Sequence, residues 1–241
     1  LQEEIIGAYR EKQTNYPAAN GIQELRHAVS AGIAKQQGLA YGPDEILISA
    51  GARPLIYAVY KTLIDAGDRV VFPVPSWNNN HYCHLSGAQP VLVETRPEND
   101  FMPDAASLAP HLKGATLLAL CSPLNPTGTV FSKDDLANIC DLVLEENASR
   151  KPGEKPLYLL YDQIYNQLTY GAATHTDPVT QRPEMRDYTL FVDGISKAFA
   201  ATGVRVGWAF GPRPIMDKMR AILSHVGAWA PKAEQVACAR Y

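Results

Sequence analysis

Between Asn20 and Gly38 the apolar residues Ile22, Leu25, Val29 and Ile33 recur at helical spacing, with an Asn at the start to cap and a Gly at the end to stop. The pattern predicts a helix over 20–38. Glu45-Ile46-Leu47-Ile48-Ser49 then forms a short apolar run of strand length, leading into Ala50-Gly51-Ala52-Arg53-Pro54. Pro54 suits a first helical turn, and Leu55, Ile56, Val59, Tyr60, Leu63 and Ile64 give the following helix its apolar face. The unit is strand, tight turn, helix. It recurs: strands are expected at 69–72, 91–94, 116–121, 157–161, 189–192 and 204–210, separated mostly by segments of helix length. Ser132 with Asp135 resembles a capping box, opening a helix that carries Leu136, Ile139, Cys140, Val143 and Leu144. The polar, proline-bearing stretches 147–156 and 171–187 read as loops, and no internal repeat or heptad is present. Such alternation predicts an α/β fold in three layers, a mostly parallel sheet with helices on both faces.

Composition adds limits. A chain of 241 residues holds one large domain or a domain and a half. A formal charge of -3 gives no electrostatic reason to expect nucleic acid or an acidic membrane, so small-molecule partners are the default. Cys83, Cys121, Cys140 and Cys238 show no CxxC pair and no His spacing, which predicts neither a metal site nor a secreted disulfide framework, but reduced thiols in the cytoplasm. No apolar run has the length of a membrane span, and Leu1-Gln2-Glu3-Glu4 lacks the basic and apolar regions of a signal peptide. The chain starts at Leu and stops at Tyr241 inside a helix-like stretch, and so reads as a piece of something longer.

Open α/β sheets bind ligands beyond the carboxyl ends of their strands. The segments found there are Gly51-Ala52-Arg53, Pro75-Ser76-Trp77, Asn125-Pro126-Thr127-Gly128, Asp162-Gln163-Ile164-Tyr165, and Ser196-Lys197 followed by Arg205. In this order and spacing they resemble the class I/II aminotransferases, the fold-type I enzymes that use pyridoxal 5'-phosphate and include aspartate aminotransferase. The resemblance runs from about Tyr16 to about Gly211. It implies that 1–241 is the large cofactor-binding domain, with the N-terminal arm and C-terminal small domain largely absent.

The resemblance also assigns roles. Lys197, in Asp193-Gly194-Ile195-Ser196-Lys197-Ala198-Phe199, would be the Schiff-base lysine and general base. Asp162 would face the pyridine nitrogen and keep it protonated, so that the ring absorbs electrons released at the substrate α-carbon. Tyr165 and Asn125 would hydrogen-bond the phenolic oxygen. The turn Gly51, Ala52, Arg53 at a helix start, and Arg205 in Thr202-Gly203-Val204-Arg205-Val206-Gly207, would hold the phosphate. Trp77 would stack on the ring, and Tyr16, in Asn15-Tyr16-Pro17, would reach the phosphate of a neighbouring chain in a homodimer. The implied reaction moves an amino group between an L-amino acid and a 2-oxo acid. From the residues alone, each position has a plainer reading beside this one: a surface lysine, a helix cap at Asp162, a simple turn at Asn125, a surface ion pair at Arg205, a core tryptophan at Trp77, a buried tyrosine at Tyr16.

Two positions depart from the family pattern. Arg53 stands where a small hydroxyl residue or glutamine is common, and Asn80 where an aromatic is frequent. The family's arginine for the substrate α-carboxylate would lie beyond Tyr241. Other fold-type I reactions (β-lyase, decarboxylase, synthase, acyltransferase) and a cofactor-sensing regulatory domain remain alternatives, because one cofactor cradle serves several reactions. A nicotinamide dehydrogenase is disfavoured, since no G-x-G-x-x-G follows the first strand.

Overall fold

The computed structural model describes residues 1–241. In chain order its elements are α1 (Gln2–Arg10), α2 (Gln23–Gln37), β1 (Ile46–Ser49), α3 (Ala52–Leu63), β2 (Arg69–Val74), α4 (Asn79–Ser86), β3 (Gln89–Glu94), α5 (Ala105–Leu112), β4 (Ala115–Cys121), α6 (Lys133–Ser149), β5 (Tyr158–Asp162), α7 (Pro178–Gln181), β6 (Thr189–Gly194), β7 (Gly207–Phe210), α8 (Arg213–His225) and α9 (Lys232–Arg240). The strands form a seven-stranded sheet in the order β1-β7-β6-β5-β4-β2-β3. Every expected strand is present, and the fold is the expected mostly parallel α/β architecture. By packing the chain divides into two compact units, Val59–Phe191 and the pair of segments Leu1–Ala58 with Val192–Tyr241.

In the continuous unit β2 pairs in parallel with β3 and β4, and β4 with β5. Residues 115–120 of β4 are buried without a break, on both alternating faces, which requires cover above and below. Leu117 and Leu118 are fully buried, and truncating either to Ala would cost about 2–5 kcal/mol. At the edge, β3 is largely exposed and carries Pro90 and charged Glu94, features that discourage pairing with another chain. Because β4 and β5 are parallel, their carboxyl ends emerge together, with Cys121 in register with Asp162.

In the discontinuous unit β1 and β7 are antiparallel, from Ile46 opposite Phe210 to Ser49 opposite Gly207. Helices α2 and α8 pack on β1, and α9 packs on α1 and α2. Tyr41 meets Phe210 edge to face with ring centroids 4.9 Å apart. Buried Gln235 of α9 uses both ends of its amide, accepting from the Ile22 N–H at 2.9 Å and donating to the Ala230 carbonyl at 2.7 Å.

Several local expectations are corrected. Asn20 does not cap α2: Ile22 occupies the cap position without a side-chain bond, and the Asn20 carbonyl instead accepts the Ile48 N–H at 3.1 Å. Gly38 does end that helix, in the left-handed conformation at φ 71°. The last strand begins at Gly207 rather than Val204, because Arg205 sits at φ 63°, outside the β region. Ser132 caps α6 by accepting from the Asp135 N–H, but its hydroxyl donates to the Asp135 carboxylate, so half of a capping box is formed. Residues 147–149 belong to α6, and 171–187 contains α7, capped by Asp177. No helix is long and apolar enough to cross a membrane.

Candidate active site

In the discontinuous unit the chain leaves β1 through the turn at Ala50–Ala52 and enters α3. The β1–β7 register sets Gly207 against that turn. A Cβ on Gly207 would lie 2.7 Å from the Gly51 carbonyl carbon and 2.9 Å from the Ala52 nitrogen, backbone against backbone, so only glycine fits. Gly51 is at φ 93°, and a Cβ there would run into the Arg205 guanidinium. That guanidinium donates to the Ala50 carbonyl at 2.7 Å and to the Thr202 carbonyl at 2.6 Å, which fixes it beside the amino-terminal end of α3. Oriented N–H groups, a helix N-terminus and a guanidinium fork form the donor set that a phosphate dianion requires. Arg205's left-handed backbone costs about 1–3 kcal/mol, strain of a kind found at ligand clamps. Arg53 lies exposed in the first turn of α3.

Lys197 belongs to the same unit. β6 extends to Gly194, two residues beyond expectation, so Lys197 is the third residue after its carboxyl end. The turn is closed by Phe199 N–H to Ile195 O (3.2 Å), Ala200 N–H to Lys197 O (3.1 Å) and Ala201 N–H to Ser196 O (3.1 Å), with Ala200 left-handed at φ 49°. The Lys197 side chain is exposed. Tyr16 is 84% exposed, which removes the reading as a buried tyrosine, and its ring meets Trp229 edge-on at 5.1 Å.

The continuous unit carries the remaining candidates. Asp162 ends β5; its carboxylate accepts the Ile164 N–H at 3.1 Å and its carbonyl accepts the Ser122 N–H at 3.0 Å. It caps a turn rather than a helix. Burial, then the Asp162 charge, pushes the neighbouring Cys121 thiol well above its ordinary value, so it stays protonated, and its sulfur donates to the Pro123 carbonyl at 3.2 Å. Asn125 and Tyr165 are 40 residues apart in sequence, yet the Asn125 amide donates to the Tyr165 hydroxyl at 3.3 Å. The Tyr165 oxygen accepts on that side, which directs its own proton away from Asn125.

Next to Asp162 in sequence, buried Gln163 meets the His175 imidazole at 3.3 Å, and burial lowers the His175 pKa to about 4, keeping it neutral. Tyr161, buried beside them, donates to the Thr176 carbonyl at 2.7 Å. Trp77 is 49% exposed and so is not a core residue. Its segment is tied down by Asn79, which accepts from the Tyr60 hydroxyl at 3.1 Å and donates to Ser76 at 3.5 Å.

The structure thus brings Gly51, Ala52 and Arg205 together within one unit and Asn125 and Tyr165 within the other, while Asp162 and Lys197 each follow a strand end. These groups fit pyridoxal phosphate by their chemistry: a glycine-lined turn with a guanidinium for the phosphate, a carboxylate for a ring nitrogen, a hydroxyl–amide pair for a phenolic oxygen, and a primary amine. Sequence reasoning missed the steric role of Gly207, the Gln163–His175 contact and Trp229. Gly207 had a signal, a glycine within the expected strand 204–210, which marks close backbone approach.

A model of the family described as Aminotransferase class I and II matches residues 4–239. Among similar proteins, the bifunctional aspartate aminotransferase and glutamate/aspartate-prephenate aminotransferase of Petunia hybrida is 37% identical over 98% of this chain and 48% of its own length. An aspartate aminotransferase of Geobacillus stearothermophilus is 31% identical over 93% of this chain and 56% of its own. The chain spans about half the length of these relatives. Among solved structures, Thermus thermophilus aspartate aminotransferase with maleate superposes with a TM-score of 0.91 at 30% identity, covering 99% of this chain and 59% of that one. The aromatic aminotransferase of Pyrococcus horikoshii gives 0.92 at 28% identity, with 99% and 62% covered.

Proposed function

The chain belongs to the class I and II aminotransferase family, and from that membership we propose that it is the large cofactor-binding domain of an enzyme that moves an amino group between an L-amino acid and a 2-oxo acid. The observation that carries the reading is the pairing of a turn too tight for any side chain, at Gly51 and Gly207, with the Arg205 guanidinium fastened to it. Pyridoxal phosphate, when bound, supplies an aldehyde for amines and a ring that accepts electrons.

This chain's residues do the rest. The turn at Gly51–Ala52 and Arg205 would bind the phosphate, and Trp77 would pack beside the ring. Asp162 holds a proton on a ring nitrogen, because a carboxylate beside it favours the charged form. Tyr165, oriented by Asn125, donates to a phenolic oxygen. Lys197 Nζ is the primary amine that would hold the cofactor's aldehyde, and as a free amine it would accept the proton of the substrate α-carbon as general base. Exposed Tyr16 reaches the phosphate site of a second copy, so the active form is a homodimer with two shared sites.

The test is an absorbance spectrum of the protein with pyridoxal phosphate before and after borohydride, with mass spectrometry to locate the reduced adduct. A yellow, reducible adduct on Lys197 is expected, and an adduct elsewhere or none would overturn the assignment. Product formation that needs an added 2-oxo acid marks transfer; ammonia released without one marks elimination instead.

A further inference from the structure

Tyr16 presents a puzzle of order. It is 84% exposed on the segment between α1 and α2, where no regular element holds it, yet the reading above asks its hydroxyl to meet a phosphate oxygen with hydrogen-bond accuracy. A long-range contact is needed to fix the ring, and the structure supplies it in Trp229, edge-on at 5.1 Å with an interplanar angle of 63°. Such aromatic pairs are favourable beyond the area they bury.

What distinguishes Trp229 from an incidental neighbour is how its backbone is held. It lies in the segment joining α8 to α9, and the carbonyls on either side of it are anchored. The Ala228 carbonyl accepts two bonds, from the Ser49 hydroxyl at 2.7 Å and the Ala50 N–H at 3.0 Å, at the end of β1 where the phosphate turn begins. The Ala230 carbonyl accepts from buried Gln235 at 2.7 Å, and the same Gln235 accepts the Ile22 N–H at the start of α2. Trp229 is therefore clamped fore and aft, one clamp being the phosphate turn itself. Its ring and that of Tyr16 line a cleft of about 790 Å³ with Tyr9, Pro17 and Lys232. Ala50, which donates to Ala228, also accepts from Arg205. Two short chains of contacts thus leave Ala50, one to the phosphate-binding guanidinium and one through Trp229 to the ring of Tyr16.

We propose that Trp229 is the positioning residue for Tyr16: clamped between the anchored carbonyls of Ala228 and Ala230, it holds the tyrosine ring in place and references it to the phosphate turn. The inference rests on the reading of Tyr16 as a phosphate ligand for a second copy. On this reading the effect of Trp229 passes wholly through the tyrosine.

The measurement is the rate of pyridoxal phosphate release from the intact holoenzyme, followed by absorbance with an excess of trapping protein, for Trp229→Ala, Trp229→Leu, Trp229→Phe, Tyr16→Phe and the Trp229→Ala/Tyr16→Phe pair. Release should quicken about two- to tenfold in Trp229→Ala and in Trp229→Leu, which keeps apolar bulk without a ring, and return near the wild-type rate in Trp229→Phe. The double variant should release no faster than Tyr16→Phe, since positioning a hydroxyl that is absent changes nothing. Additive effects in the double variant, or a wild-type rate in Trp229→Ala beside a fast Tyr16→Phe, would overturn the role of Trp229 and leave Tyr16 in place. An unchanged rate in Tyr16→Phe would overturn the Tyr16 reading and this inference with it. Borohydride trapping on Lys197 in the same samples reports on the cofactor assignment separately.

Discussion

On the proposed reading the two units hold parts of a ligand by opposite means. In the discontinuous unit the proposed phosphate turn is made by closeness: a methyl group on Gly207 would meet the backbone of Gly51, 156 positions away, one on Gly51 would meet the Arg205 guanidinium, and that guanidinium is fastened by two carbonyls. In the continuous unit the candidate residues are side chains delivered by strand register and local turns, Asp162 at the end of β5, Tyr165 three residues on, and Asn125 after β4. The first arrangement fails when atoms are added, the second when they are removed. Under the proposed assignment the difference follows from the ligand parts concerned, since a phosphate accepts from many N–H groups at once whereas a ring nitrogen and a phenolic oxygen each need one specific partner.

The largest effect should come from deleting charge in the continuous unit. Asp162→Asn should lower the rate of transamination by about 10²–10³-fold while changing cofactor release far less, as steady-state kinetics and the release assay would show together. Comparable losses in both would mean that the two sets of residues do not divide the work.

The continuous unit should also be the acid-sensitive one. His175, with its pKa lowered to about 4 by burial, binds its proton less readily folded than unfolded, where the ordinary value is 6.5. Its contribution is fully present above about pH 6.5 and is lost as the pH falls towards 4, roughly 3 kcal/mol in all. Asp177, whose carboxyl is raised by burial, gives a slope of opposite sign starting near its ordinary value of 3.8. Urea midpoints of wild type and His175→Gln across this range separate the two, and the variant should lose the His175 slope.

In the discontinuous unit, Gly207→Ala forces a methyl group onto the Gly51 peptide, at an expected cost of about 1–3 kcal/mol together with faster cofactor release. Denaturation and the release assay check it. Wild-type behaviour would show that the turn has slack. The smallest expected change is in Tyr165→Phe, where losing one neutral hydrogen bond should move the midpoint of the cofactor's pH-dependent absorbance upward by about one pH unit or less.

Much of this was legible in the chain because apolar runs and breakers record local geometry. Gly38 announces the end of α2, and the strand cores at Ile46, Leu117 and Leu159 stand out by continuous hydrophobicity. What escaped depends on partners distant in sequence. Asn20 looks like a cap, but its carbonyl is used by Ile48; Val204 to Val206 looks like strand, but the turn at Arg205 requires φ 63°. At the site, residue types and their order pointed to Lys197, Asp162 and Arg205, whereas Gly207's neighbour is 156 positions away and Trp229's is 213. A glycine in a strand marks that something comes close, but no local pattern names the distant partner.

The split of the chain into one continuous and one interrupted unit bears on how the protein is made. Residues 59–191 form their contacts within a single stretch and can pack while synthesis continues. The segment before them waits: β1 has no β7 to pair with, and Gly51 no Gly207 to close against, until the residues after 191 have emerged from the ribosome. During that interval the apolar run Ile46-Leu47-Ile48 is a strand without its partner, so the nascent chain exposes a pairing edge that the folded protein covers.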